Sequence, residues 1–394
     1  MTTLIRVHPR SFLVLLLLAV ASSFVRAAED LPEVPNDVVV SLFAKEPLVR
    51  NPSAITFDAQ GRLTVGHGPQ YRGPAPETEG DRVDFLLDDD GDGVAERAHT
   101  FAKGFNSIQG LAWRGGDLYV ANAPDLTIVR DLDGDDVADE YVRLFTGLGS
   151  LEHGLHGLNF APDGRLYLSK GNTKGRNTLE QLAPKAFREL WELPSPEGAP
   201  DFPEPVVFTA ETYQHNYKEP QDDWGRQGGI LRCDPDGSNL EIVARGMRNP
   251  WDIAFDDRFQ WLGTDNDQTQ GDKFIAPFFG AHYGWGHEWS YDWEGKGHLP
   301  TVPANGPLFE GSGAGVVWFN EPTLPERFRG TFFVADWLRR VIYVYRPEWK
   351  GSQLESAGVK TLDDFELLAD AGGGRAMAMS SGILFDPTDM AIGP

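Results

Sequence analysis

Glu152–Asn172 reads EHGLHGLNFAPDGRLYLSKGN. Its second part, LNFAPDGRLYLS, alternates apolar and polar residues into a Pro-Asp-Gly turn and out again. That is the pattern of two short strands joined as a β-hairpin. The unit recurs. AITFDAQGRLTVGHG (Ala54–Gly68) and GLAWRGGDLYVANAP (Gly110–Pro124) repeat it, and DIAFDDRFQWLGTDN (Asp252–Asn266) is a degenerate copy. LPERFRGTFFVADW (Leu324–Trp337) supplies another strand after a turn, and DMAIGP (Asp389–Pro394) is the opening half of one more copy. Between these units lie further strand candidates, RVDFLLD, LTIVRDL, GILRCDP and VIYVYRP. About four strands recur per unit of roughly 50 residues, which is the blade of a β-propeller. A β-sandwich would not need the same hairpin so many times. The expectation is an all-β chain, a propeller of about six four-stranded blades with the last blade incomplete.

The first 27 residues read as a secretion leader. Arg6 and Arg10 give a positive start, Ser11–Phe24 an apolar run too short to span a bilayer comfortably, and Val25-Arg26-Ala27 a small-residue cleavage site. The expected location is therefore periplasmic or extracellular, with no stable membrane span after cleavage. Residues 28–394 form a single propeller domain. It is interrupted by a Pro-rich, polar insertion over about 172–226, with helical periodicity around Leu179–Leu193. His215, Asn216, Tyr217 and Trp224 in that insertion are candidates to line a cleft.

A net charge of −24 argues against nucleic acid, whose phosphates need clustered Lys and Arg. The single cysteine, Cys233, excludes an internal disulfide, a multi-Cys zinc site and a Cys-x-x-Cys-His haem attachment.

Two acidic loops match each other. Asp88, Asp90, Asp92 and Glu96 align with Asp131, Asp133, Asp135 and Asp139, each set wrapped around a Gly-containing turn. Alternate carboxylates on such a turn converge hard oxygens on one point, as Ca²⁺ requires. The other reading is a solvated acidic turn. Neither loop is an EF-hand, since the twelfth position after Asp88 is His99. In the opening stretch, His153 and His156 admit three readings: metal ligands with Glu152, structural loop histidines, or one histidine as general base oriented by Glu152.

The phrase from His153 to Tyr167, HGLHGLNFAPDGRLY, resembles the active-site blade of the soluble glucose/sorbosone dehydrogenases. GGILRCDPDG (Gly228–Gly237), GMRNPWDIAFD (Gly246–Asp256), the acidic run Asp265–Asp272 and HYGWG (His282–Gly286) follow in that family's order. More broadly, EPLVRNPSAITFD, the acidic loops and PTDMAIGP resemble the N-terminal propeller of the membrane-bound dehydrogenase proteins of planctomycetes. The resemblance implies pyrroloquinoline quinone (PQQ) with calcium, a sugar or polyol substrate, and a cytochrome-type electron acceptor as partner. It gives His153 the role of base, with Glu152 where the family has Asp. It makes Gln109, Arg248 and Asn249 cofactor contacts, with Arg339 as a late anchor, and Asp272 part of a calcium segment. Asp386 and Thr388 stand where the family's late basic anchors would fall.

A second function reading stays open: a non-catalytic, calcium-stabilised propeller that binds polysaccharide or a protein partner. Trp251, Trp261, Trp285, Trp289 and Trp293 are its candidate stacking platforms. A third is hydrolysis of phosphate or lactone esters.

Overall fold

The repeated turn folds the same way in several copies. In Pro162-Asp163-Gly164, the Ala161 N–H donates to the Arg165 carbonyl at 3.0 Å and Gly164 sits at φ 82°. Asp58–Arg62 and Asp234–Ser238 repeat that pattern, with Gly61 and Gly237 in the left-handed place. In the degenerate copy Phe259 takes the glycine's place at φ 63° and packs its ring against Phe255 and Tyr167. Aromatic packing there replaces glycine's conformational freedom.

The computed structural model describes residues 3–9, 31–71, 77–149, 151–172, 185, 197–198, 204–213, 228–267, 271–285, 302–308, 312–371 and 385–393. Strand β1 (Thr3–Pro9), inside the stretch read as a leader, pairs antiparallel with β2 (Val38–Lys45). The first sheet holds β3 (Pro52–Phe57), β4 (Leu63–His67), β5 (Asp81–Leu87) and β6 (Arg97–Phe105) in that order. The second runs β7 (Ile108–Arg114), β8 (Asp117–Asn122), β9 (Asp125–Arg130) and β10 (Glu140–Phe145). The third opens with β11 (Leu155–Phe160) and β12 (Leu166–Lys170). The chain then departs into the insertion, whose β13 (Val206–Thr209) adds to the outer edge of the second sheet. It returns as β14 (Gly228–Cys233) and β15 (Glu241–Met247) of the third sheet. The fourth sheet is β16 (Pro250–Phe255), β17 (Trp261–Asp265) and β18 (Lys273–Ile275), after which β19 (Ala281–His282) joins β15 in parallel. The fifth is β20 (Gly313–Phe319), β21 (Thr331–Asp336) and β22 (Val341–Tyr345). A side hairpin, β23 (Pro347–Lys350) with β24 (Gln353–Ser356), precedes β25 (Glu366–Asp370), which completes that sheet.

Apolar residues gather between the faces of successive sheets, which is the propeller arrangement. One core joins Val83, Phe85 and Phe105 to Leu118 and Val129. The next joins Leu126 and Leu144 to Leu155, Leu168 and Leu231, and burial of Cys233 in it pushes that thiol up to about 12. The innermost strands β3, β7, β11, β16 and β20 follow one another around the axis. Against the expected six four-stranded blades, the described residues form five sheets of three to five strands. Residues 385–393 lie between the fifth sheet and the first. The Gly315 N–H donates to the Thr388 carbonyl at 3.1 Å, and the Ile55 N–H donates to Asp389 Oδ2 at 2.7 Å. These residues contribute no strand to a sheet, because one backbone hydrogen bond to β20 and one side-chain hydrogen bond to β3 do not make a backbone ladder.

Tyr213 fixes the end of the insertion to the second sheet. It stacks on Tyr141 at 4.6 Å, and its hydroxyl accepts from Asn122 Nδ2 at 2.9 Å. His215, Asn216, Tyr217 and Trp224 lie outside the described residues, as do Trp289 and Trp293 and all of Leu179–Leu193 but Lys185. Among the described residues no helix is long and apolar enough to cross a membrane.

Candidate functional site

Up-and-down connectivity sorts the candidate residues onto two ends of the ring. Gln109, His153, Arg248 and Asn249 lie at or just before the start of inner strands β7, β11 and β16, at one mouth of the propeller. The acidic loops join the third strand to the fourth in the first two sheets, so they lie at the opposite end. Arg62, in the turn between β3 and β4 at that end, reaches Asp136 of the second acidic loop at 2.8 Å.

The β11–β12 hairpin builds the first mouth. Leu155 pairs with Lys170, and the Gly171 N–H donates to the Gly154 carbonyl at 3.0 Å, which carries His153 opposite Asn172. The Asn172 amide is assigned by its partners, a Trp285 N–H that can only donate and an Arg248 carbonyl that can only accept, which places its nitrogen 2.5 Å from His153 Nδ1 and 3.1 Å from the Arg248 carbonyl oxygen. Its amide oxygen accepts from Trp285 Nε1 at 3.0 Å. The Nδ1 partner of His153 is therefore Asn172, and Glu152, half-buried, does not take that place. Gly171 must be glycine, since a Cβ there would lie 2.3 Å from Asn249 Oδ1 and 2.7 Å from the His153 Cβ.

His156 is fully buried, stacks on Trp251 at 4.1 Å, and donates from Nε2 to Asn249 Oδ1 at 2.8 Å. Burial lowers its pKa to about 3, against the raising effect of Asn249, so the ring stays neutral. Among the described residues its Nδ1 has no hydrogen-bond partner. Gln109 donates from Nε2 to the Leu151 carbonyl at 2.7 Å and to Ser107 Oγ at 3.0 Å, while its buried Oε1 also has none among the described residues. Both orphaned atoms are acceptors. A buried acceptor without a partner costs about 1–3 kcal/mol, so a hydroxyl or water supplied from outside the chain is the expected complement.

Arg248 Nη1 donates to the Asn266 carbonyl at 2.9 Å, and the Arg248 and Asn249 N–H groups donate to Asp265 Oδ1. Asp265 heads a buried acidic arc with Asp267, Asp272 and Asp336, in which Lys273 Nζ pairs with Asp267 Oδ2 at 2.7 Å. Asp272 accepts the Asp267 and Gly313 N–H groups. Burial, with Asp265 and Asp336 nearby, pushes its carboxyl up to about 8. Arg339 lies beside Asp336 and Tyr343, and Arg340 is paired with Asp386 at 2.8 Å.

A quinone with three carboxylates needs cations and donors. The basic groups around this mouth already face acids or carbonyls, and the two unpartnered atoms are acceptors. Among the described residues, those at this mouth do not fit PQQ.

At the other end, carboxylate oxygens of Asp88, Asp90, Asp92 and Glu96 lie within 4.8 Å of one another, as do those of Asp131, Asp133 and Asp139. Asp135 stands outside the second group; its Oδ1 accepts the Val137 N–H at 2.9 Å instead. Both loops close on their own amides, Gly91 and Gly93 to Asp88, Gly134 and Asp136 to Asp131. Each also reaches a neighbouring strand, Ala95 to the Phe43 carbonyl and Ala138 to the Phe101 carbonyl, both at 2.8 Å. An ion held there would staple strands together. It would lie too far from His153 to polarise a ligand there.

Of the tryptophans read as sugar platforms, Trp251 is covered by His156, Trp261 packs against Phe255, and Trp285 is tied to Asn172.

A family model described as a domain of unknown function (DUF7133) matches residues 26–190. No curated protein matches the chain. Among solved structures, a glucose dehydrogenase aligns with a TM-score of 0.57 at 13% identity, covering 89% of this chain and 92% of that one. The calcium structure of a Trichoderma reesei carbohydrate-active enzyme of family AA12 aligns with a TM-score of 0.56 at 12% identity, covering 93% of each chain. The apo-form of the soluble aldose sugar dehydrogenase from Escherichia coli aligns with a TM-score of 0.51 at 13% identity, covering 82% of this chain and 94% of that one. The shared property is the propeller fold.

Proposed function

We propose that this chain is a sugar- or polyol-recognising propeller of the dehydrogenase architecture, with its ligand site at the mouth formed by Gln109, His153, His156, Asn172, Arg248 and Asn249. The observation that carries this reading is the pair of buried, unpartnered acceptors, Gln109 Oε1 and His156 Nδ1, beside His153. Ligand hydroxyls are donors of the kind those atoms lack. Titration calorimetry against monosaccharides, sugar alcohols and oligosaccharides is expected to find saturable binding that His153→Ala weakens about tenfold or more, the loss of roughly one good polar contact. Absence of heat from every member of the panel would sink the reading.

Oxidation of the bound polyol is the second reading, supported by the fold shared with the glucose and aldose sugar dehydrogenases. In that reaction His153 would receive the hydroxyl proton while hydride leaves to an external acceptor. Reduction of an added two-electron acceptor dye by the wild-type protein and a polyol, absent in His153→Ala, is its test. Sugar binding without turnover would leave recognition alone.

The acidic loops are proposed to bind calcium as a structural ion, through Asp88, Asp90, Asp92 and Glu96 and through Asp131, Asp133 and Asp139. A chelator is then expected to lower the melting temperature by a few degrees, and added Ca²⁺ to restore it, because an ion bound only by the folded state stabilises it by about 2–3 kcal/mol at a hundredfold excess over Kd. Equal transitions in EDTA and in Ca²⁺ would count against ion binding.

A further inference from the structure

We infer that Asn172 is a positioning residue that decides which ring nitrogen of His153 carries the proton, and that it places that proton on Nε2. The argument starts from two fixed partners. The Trp285 indole N–H can only donate, and the Arg248 carbonyl can only accept. The Asn172 amide therefore turns its oxygen to Trp285, at 3.0 Å, and its nitrogen to the carbonyl, at 3.1 Å. Its backbone N–H also donates to that carbonyl at 2.7 Å, which anchors the residue from a second side. The same amide nitrogen lies 2.5 Å from His153 Nδ1. A neutral imidazole facing an N–H donor must accept, so Nδ1 holds the lone pair and Nε2 holds the hydrogen.

A carboxylate in the place of Asn172 would do the reverse, accepting from Nδ1–H and leaving Nε2 basic. With asparagine, an oxygen that reaches Nε2 meets a donor. The matching ligand atom is an acceptor, best met by the carbonyl or carboxylate oxygen of an aldose, lactone or sugar acid and more weakly by a hydroxyl oxygen in its accepting role, and not a hydroxyl awaiting deprotonation. Proton uptake at Nε2 would first require the Asn172 amide to turn over, giving up Trp285 and the Arg248 carbonyl together. The ligand class rests on the proposed sugar site; the tautomer does not.

The test separates the two. Long-range ¹⁵N–¹H correlation spectra of ¹⁵N-histidine-labelled, sugar-free protein report the protonated nitrogen of each ring, and His153→Gln assigns one signal set among the nine histidines. The expected spectrum at neutral pH shows His153 Nδ1 at the pyridine-type position and Nε2 at the pyrrole-type position. Asn172→Asp is expected to exchange the two. If that variant does not fold, Trp285→Phe frees the amide oxygen and is expected to move both shifts toward the average of the tautomers. A pyrrole-type Nδ1 in the wild type, or shifts indifferent to both substitutions, would overturn the inference. Once the tautomer is established, sugar acids or lactones binding no more tightly than the matching sugar alcohols would overturn the ligand class alone.

Discussion

Gly110→Ala is expected to cost at least about 3 kcal/mol of folding stability, or to prevent folding. The added Cβ would lie 1.8 Å from the His156 carbonyl oxygen and 3.0 Å from its carbon, with the Ala121 Cβ at 3.4 Å on the other side. No side-chain rotation relieves a clash between two backbones, so β7 and β11 would have to separate. Their contact is where the second and third sheets meet next to His156, and the displacement would reach Asn249 through the His156 hydrogen bond. Gly157 stands in the same relation to the fourth sheet, where a Cβ would lie 2.2 Å from Asp252 Oδ1. Gly351 is the control. It sits in the turn of the side hairpin at φ 68° with nothing within 4 Å of where a Cβ would stand, so Gly351→Ala bears only the conformational cost, about 1–2 kcal/mol. Urea denaturation of the three proteins decides the matter: if both variants fall by the same amount, close approach between inner strands is not what requires glycine at 110.

How much of this was legible in the sequence follows from the range of each interaction. The hairpin repeat is local, so the alternation and the turn glycines specified the inner strands directly, even where Phe259 replaces a glycine. The number of sheets depends on how distant strands pair. DMAIGP matches DIAFDD, yet Asp389 reaches the first sheet through its carboxylate and residues 385–393 pair into no sheet. The partner of His153 was within reach. Extending the register of Leu155 with Lys170 by two residues on each side pairs His153 with Asn172, the two polar residues near the ends of the opening stretch. Proximity in sequence pointed instead to Glu152. The fate of the basic residues was less legible: Arg340 meets Asp386 only once residues 385–393 return to the fifth sheet, while Lys273 pairs with Asp267 within the β17–β18 connection. The matching acidic loops do converge their carboxylates, but topology places them at the far end from His153. Topology would keep an ion held in those loops apart from a ligand at the mouth.

Asp81 should make folding stability fall as pH rises from about 4 to about 7, a dependence that Asp81→Asn should remove. Asp81 is fully buried at the start of β5, where Oδ1 accepts the Gln70 N–H and Oδ2 the Ile108 N–H, each at 2.9 Å. Burial pushes its carboxyl up to about 7, against the pull of the Gln70, Ile108 and Ser107 amides and with a smaller push from Glu79. In the unfolded chain the same group titrates near about 3.9. The folded pKa is therefore the higher one. The contribution is fully present below the unfolded value, is lost progressively as the unfolded chain ionises while the folded one does not, and is gone once the folded group ionises too. The full swing is on the order of 2–4 kcal/mol. Asparagine retains one acceptor and sets an NH₂ against the other amide, so the variant should be weaker by about 1–3 kcal/mol at pH 4. Its deficit should shrink or vanish by pH 8, where the wild type carries a buried charge. Other acids with raised pKa values, Asp272 among them, remain in both proteins and cancel in the difference. Parallel stability curves for wild type and Asp81→Asn between pH 4 and 8 would mean that the three amides, and not burial, control this carboxylate. The link between the first and second sheets would then be a charged one at neutral pH.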